Sequence, residues 1–297
     1  MVMSSIEQRS TIGNQSKLSD QSSFKMIRNA QRILLYIVLG VVALLMMAPF
    51  LAMISVSLQL GPRSATYPNL LFPSNPTFEN YRAILRNAHI GTWFYNSFVV
   101  SFVGTTLSLF TATTAGYAFA RMRFPLRTFW FWSFLAMLMI PGQVTLIPEY
   151  LLLSWLKWVN TYQALIIPGI TSAFGTFLMR QYVDGIPLDF EEAARIDGAN
   201  EWQIFAVITV PMLKPALATL GTLQFLNYWN DFLFPMVVTS QATMRTLPVG
   251  LATLQTPTGG LPEMLAGTTI ALLPTIVVFL MFQRFFIRGI TMSGLRG

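Results

Sequence analysis

Ile186-Pro-Leu-Asp-Phe-Glu-Glu-Ala-Ala-Arg-Ile-Asp-Gly-Ala-Asn-Glu-Trp-Gln-Ile-Phe-Ala-Val-Ile-Thr-Val-Pro211 is a polar, patterned segment set between two long apolar stretches. Asp189 followed three residues later by Glu192 gives a capping-box-like start, and Gly198 supplies the left-handed conformation that stops a helix. A helix of about two turns is predicted between them. A second helix begins at Asn200, whose side chain caps it with Gln203 as reciprocal partner, and it runs through Ile204, Phe205 and Ile208 to Pro211. Ala193 and Ala194 remove bulk from the first helix, so another backbone can approach it closely. Glu192 offers a carboxylate that can hold the bend by accepting hydrogen bonds from amides or a basic side chain.

Outside this segment the chain is a membrane sequence. Of its 297 residues 54% are hydrophobic and 10% charged, against about 25% charged in ordinary soluble domains. A span needs about 20 apolar residues, and the qualifying stretches are Ile33 to Ser55, Asn96 to Ala118, Phe129 to Ile147, Tyr162 to Met179, Met212 to Phe234 and Ala266 to Phe286. The expectation is an all-α polytopic membrane protein with six transmembrane helices and lipid as its solvent. Residues 1–32 form a polar, mobile N-terminal arm, 33–286 the transmembrane domain with the connection 185–210, and 287–297 a tail.

With the N-terminus in the cytoplasm, only Arg63, Arg82, Arg86, Lys157 and Arg245 of the 19 lysines and arginines face out. That is the positive-inside bias, and it places both termini and the segment 185–210 in the cytoplasm. Trp93, Tyr95, Trp130, Trp132, Trp155, Trp158 and Trp202 sit where helix ends meet the interface, as belt residues do. Pro141, Pro168, Pro215 and Pro274 fall in or beside spans. Broken helices at such sites free carbonyls that a water-filled cavity can satisfy, which suits a translocation pathway.

Several classes drop out. The chain has no cysteine and one histidine, His89, so thiol chemistry and most metal clusters are excluded, and His89 reads as a surface residue. No basic run with interleaved aromatics points to nucleic acid. A phosphate-binding loop needs Gly-Lys, yet Lys17, Lys25, Lys157 and Lys214 follow Ser16, Phe24, Leu156 and Leu213. An enzyme would show clustered carboxylates or histidines, and an ion-coupled carrier an inverted repeat with paired ionisable residues; neither pattern is evident.

Polar residues near the bilayer are the candidates for solute contact. Asp231 is the best placed, near the outer end of span five beside Asn227, Trp229 and Asn230; capping or interfacial hydration is its competing role. Glu149 reads as structural, and Gln143, Gln163 and Gln224 rank below it. A rigid cytoplasmic knob, by contrast, suits the delivery of force from another protein to the membrane helices.

Glu192-Ala-Ala-x3-Gly198-x9-Ile208-x-Val210-Pro211 resembles the EAA loop of ABC importer permeases. Pro76-Thr-Phe-Glu-Asn-Tyr81, Asn160-Thr-Tyr162, Trp229-Asn-Asp231, Leu247-Pro-Val-Gly250 and Arg288-Gly-Ile-Thr291 extend the likeness to the smaller permease of maltose-type carbohydrate importers, over about residues 33 to 297. The resemblance implies the type I importer permease fold, a sugar or a glycerophosphate-like polyol as substrate, and a bacterial or archaeal inner membrane. It assigns ATPase coupling to Glu192, Ala193, Ala194, Asp197 and Gly198. Its implied partners are a second homologous permease, two cytoplasmic ATPase subunits that hold ATP and Mg, and an extracytoplasmic sugar-binding protein; this chain holds no cofactor. The tail, Thr291-Met-Ser-Gly-Leu-Arg-Gly297, departs from the family's small-residue run.

Overall fold

The computed structural model describes residues 3–61, 70–73, 75–86, 89–254 and 260–293. Every regular element among them is a helix. In chain order the α-helices are α1 (Met3–Ser57), α2 (Glu79–Arg86), α3 (Ile90–Arg121), α4 (Arg127–Ala136), α5 (Gly142–Trp155), α6 (Tyr162–Ile166), α7 (Ala173–Asp184), α8 (Asp189–Ile196), α9 (Glu201–Gln203), α10 (Val210–Met212), α11 (Lys214–Asn230), α12 (Leu233–Val238), α13 (Leu247–Ala252) and α14 (Leu261–Ser293).

Three helices cross unbroken: Gln31–Ser57 of α1, α3, and Leu261–Gln283 of α14. The other three expected spans are bent. Arg127–Met139 meets α5 at 100°, Tyr162–Gly169 meets α7 at 46°, and Glu201–Met212 meets α11 at 77°. Six crossings result if each bent pair is one span, which matches the expected number, and the helix breaks expected beside prolines occur in spans three to five. Pro141 and Pro168 mark two of the breaks: Ile140, before Pro141, is extended at φ −90°, ψ 115°, whereas Ile167 stays helical and Pro168 opens a short 3-10 turn, Ile167–Gly169, that ends the first half of its span. The third falls at Leu213, with Pro211 before it and Pro215 in the first turn of α11. Pro274, by contrast, is carried inside α14 without a break. The arm expected to be mobile continues α1 as helix from Met3; Arg63 and residues 294–297 of the tail lie outside the described residues.

Helices in lipid gain little from the hydrophobic effect and associate through close packing of small residues. α3 and α7 do this along Ala112 and Gly116: a Cβ on Gly116 would lie 2.8 Å from Met179 Cβ and 2.9 Å from the Arg180 backbone N. Around that seam Tyr117, Val183, Phe205, Leu213, Ala216 and Leu220 form one buried cluster at the end of the bundle that carries α8, called the inner end after the orientation expected from the basic residues. A second, at the outer end, joins Ile84, Trp93, Trp229, Leu247, Leu251 and Ala266. The membrane part of α1 turns its apolar side chains outward, with Leu44 and Leu45 each 67% exposed.

Polar staples fix the outer loops. Asn80 Nδ2 donates to Ser57 O and Gln59 O, both at 2.8 Å, and the hydroxyls of Ser57 and Tyr81 share a hydrogen bond of 2.7 Å. Asn160, in the left-handed conformation at φ 62°, accepts at Oδ1 from the backbone N of Ser240 (2.7 Å) and Gln241 (2.9 Å). Asn96 Nδ2 donates to Thr243 O and Arg245 O at 2.8 and 2.9 Å, while the Tyr162 hydroxyl bonds Asn96 Oδ1 at 2.6 Å. Trp93 Nε1 donates to Ala242 O at 2.7 Å. Gly250 is required beside that indole, since a Cβ there would stand 2.1 Å from Trp93 Cδ2. The shared motifs around Asn80, Asn160 and Gly250 are therefore structural.

Candidate functional site

Two places stand out: the knob at the inner end and a polar cleft where the bent spans converge. The knob is α8 with the turn after it. Gly198 has φ +86°, the left-handed stop expected from the sequence, and open space surrounds it. Asn200 and Gln203 form the expected capping box, Gln203 N donating to Asn200 Oδ1 at 2.9 Å and Asn200 N to Gln203 Oε1 at 2.8 Å. The box at the start of α8 does not form. The residue before the helix is Leu188, whose carbonyl accepts from Glu191 N and Glu192 N, so Asp189 is already inside the first turn.

The carboxylate that holds the knob is Glu191, not Glu192. Glu191 is fully buried and accepts from Arg121 Nε at 2.7 Å. Arg121 Nη2 also donates to Val183 O at 2.8 Å and Ile186 O at 2.6 Å. One guanidinium at the end of α3 thus grips the end of α7, the linker and α8 together. Arg195, on α8, pairs with Glu201 through Nε at 2.9 Å and Nη2 at 3.2 Å, which pushes its guanidinium pKa further above its ordinary value. It also stands 3.8 Å from Glu191 Oε2. Arg121 had no mark in the sequence beyond its place among the inner basic residues. Glu191 could have been found from its spacing, three residues before the buried Ala194, on the same helix face.

The proposed coupling residues divide accordingly. Ala194 packs inward, while Glu192, Ala193, Asp197 and Gly198 are exposed. They share the outer surface with Ile196, which is 86% exposed. Behind the knob, the chain is a π-helix over Ile204–Thr209. The ring of Pro211 cannot sit against the carbonyl four residues earlier, and the widened turn relieves that conflict. Thr209 Oγ1 is buried there without a hydrogen-bond partner among the described residues.

The cleft lies at three interruptions, those after Ile140, after Pro168-Gly169, and at Asp231 between α11 and α12. It comprises two adjoining cavities of about 340 and 560 Å³ that share Gly169, Tyr228 and Asp231. Gln143, Thr145 and Glu149 line the first, Gln224, Asn227 and Asn230 the second. The carboxylate of Asp231 lies near the backbone amides of Phe232, Leu233 and Phe234 and lines both cavities. Asn227, Asn230 and Asp231 are brought together as expected.

Trp229 is not with them. It is 2% exposed, stacks on Phe225 with centroids 5.7 Å apart and donates from Nε1 to Ala271 O at 3.0 Å. Trp93 is likewise buried rather than in an interfacial belt, whereas Trp155 and Trp202 are 78% and 70% exposed. The ring that does face the cleft is Tyr228, lodged against Gly104 and Gly169 with no room for a Cβ at either. Glu149 and Gln143, ranked low from sequence, reach the cleft because the bend at Pro141 swings α5 toward α11.

A family model described as a binding-protein-dependent transport system inner membrane component matches residues 104–292. The chain is 43% identical over 227 residues to the arabinooligosaccharides transport system permease protein AraQ of Halalkalibacterium halodurans, covering 76% of this chain and 81% of that one. It is 32% identical over 269 residues to the lactose transport system permease protein LacG of Rhizobium radiobacter, covering 88% and 96%. Among solved structures, a bacterial ABC transporter involved in import of the acidic polysaccharide alginate superposes with a TM-score of 0.75 at 27% identity, over 86% of this chain and 95% of that one.

Proposed function

Because this chain belongs to the binding-protein-dependent transport system inner membrane components, we propose that it forms half of the translocation pathway of an ABC importer for a sugar or oligosaccharide. A second, homologous permease supplies the other half, an extracytoplasmic sugar-binding protein delivers the solute, and two cytoplasmic ATPase subunits hold the ATP and Mg. Both termini face the cytoplasm, in keeping with the distribution of arginine and lysine.

The coupling runs through α8. An ATPase subunit grips its outer surface at Glu192, Ala193, Asp197 and Gly198, and the inward face carries the motion on. The observation that supports this most directly is the three-way hold of Arg121 on Glu191, Val183 and Ile186: α8 cannot shift without moving the inner ends of α3 and α7. A second route passes along the chain through the capping box, the π-turn and Pro211 into α11, whose far end opens on the cleft.

Glu192→Lys reverses a charge on the gripped face, and Gly198→Pro imposes a negative φ where +86° is needed. In cells whose native subunit has been removed, both variants are expected to insert at normal levels while uptake of labelled arabinotriose falls at least about tenfold, the rate equivalent of about 1.4 kcal/mol. Parental uptake in both variants would exclude this coupling route.

A further inference from the structure

The substrates named for the relatives differ in charge, from neutral arabino-oligosaccharides and lactose to sn-glycerol 3-phosphate and the acidic polysaccharide alginate. The lining of the cleft bears on that choice. Resting on the importer reading above, we infer that Glu149 and Asp231 make this half of the pathway a charge filter, passing uncharged, hydroxyl-rich solutes and repelling anions such as uronates and phosphate esters.

The two carboxylates come from different spans, and the bend at Pro141 brings Glu149 to the wall that Asp231 already occupies. Among the described residues no lysine or arginine lines either cavity. Neither carboxylate joins a salt bridge among the described residues, where every ion pair lies on α2, at the inner end of α7 or around the knob. An acidic group near apolar spans without a cation is tolerated where it meets water in a cavity, and there its field is focused by low-dielectric walls. The backbone amides of Phe232, Leu233 and Phe234 lie near the Asp231 carboxylate. The remaining polar lining is neutral: Gln143, Thr145, Gln224, Asn227 and Asn230, with the Tyr228 ring beside them. Amides and carboxylates together accept from and donate to hydroxyls, while a phosphate or uronate would find no cationic partner on this wall.

The absence of cysteine makes the field measurable. In the assembled importer, Asn227→Cys places one thiol of this chain in the cleft, and Thr243→Cys, on the exposed outer loop, serves as reference. Each is reacted with size-matched cationic and anionic methanethiosulfonates, and modification is read as mass added to this chain. The cationic-to-anionic rate ratio, normalised to the reference, is expected to be about tenfold at Asn227→Cys, within the range by which charged clefts alter encounter rates. It is expected to return to within about twofold of the reference when Asp231→Asn and Glu149→Gln are added. A ratio equal to the reference, a ratio untouched by the double neutralisation, or no reaction with either reagent would each overturn the filter. Uptake of labelled neutral sugars by the unsubstituted importer, arabinotriose and lactose among them, is the separate arm. Uptake without a charge ratio removes the filter alone, whereas a charge ratio in an importer that takes up no sugar overturns the reading on which it rests.

Discussion

Arg121 and Arg195 lie one helix apart at the inner end, yet their energetics differ by environment. The Arg121 side chain is 9% exposed against a fully buried Glu191, whereas Arg195 and Glu201 are 43% and 49% exposed. Removing one member of a buried pair leaves the other charge uncompensated, at about 3–5 kcal/mol, while an exposed pair is worth about 0–1 kcal/mol. Arg121→Met is therefore expected to lower stability by about 3–5 kcal/mol in detergent unfolding and Arg195→Ala by less than about 1 kcal/mol. Equal losses would place the hold on the knob elsewhere. At this scale the sequence was legible in kind and not in phase. It put a carboxylate at the bend but chose Glu192 over its neighbour, and it put an aromatic ring at the cleft but chose Trp229 over Tyr228. Neighbouring helix residues point about 100° apart, and on a helix as uniformly apolar as α11 no polar face announces which way is in. Gly198, Asn200 and Gln203 were legible because their turn is set by local backbone geometry, whereas the box read at Asp189 failed because α8 starts one residue earlier, after Leu188.

Among the elements, the seam between α3 and α7 has the least tolerance. A methyl at Gly116 meets Met179 Cβ and the Arg180 backbone, while Gly91 on the same helix has open space around it. Gly116→Ala is expected to cost about 1–3 kcal/mol as the helices are forced apart, and Gly91→Ala to stay within about 0.5 kcal/mol. Thermal unfolding of the two variants in detergent checks the contrast, and indistinguishable midpoints would mean the seam yields freely. Hydropathy gave the number of spans correctly because it depends only on composition over about 20 residues. It could not give their bends. Pro141 and Pro168 do coincide with breaks and Pro274 does not, so the proline ring permits a break and tertiary packing decides whether it occurs. At Asp231 the proline is Pro235, in the first turn of α12, which cannot donate to the Asp231 carbonyl and whose ring would clash with it in a continuous helix.

For the molecule as a whole, the two ends are built differently. The outer loops are pinned by side chains from other spans, with Asn80, Asn96, Asn160 and Trp93 each donating to or accepting from a backbone. At the inner end α8 is clasped from behind by Arg121. Between them lie the broken spans and the cleft. A firm outer rim and a gripped inner lever are what alternating access requires of one half of a pore. The cleft itself was the least legible feature, since it joins Gln143, Glu149, Tyr228 and Asp231 from separate spans and exists only once α5 has bent.

The most direct test of the lever is a photo-cross-link from α8. A benzophenone maleimide attached at Ala193→Cys, in a chain with no other cysteine, is predicted to yield an adduct with the ATPase subunit in the assembled importer, and uptake is predicted to stop as the adduct forms. If neither Ala193→Cys nor Ile196→Cys ever captured the ATPase, and uptake continued at the parental rate with both labels in place, the account of force entering through α8 would be contradicted.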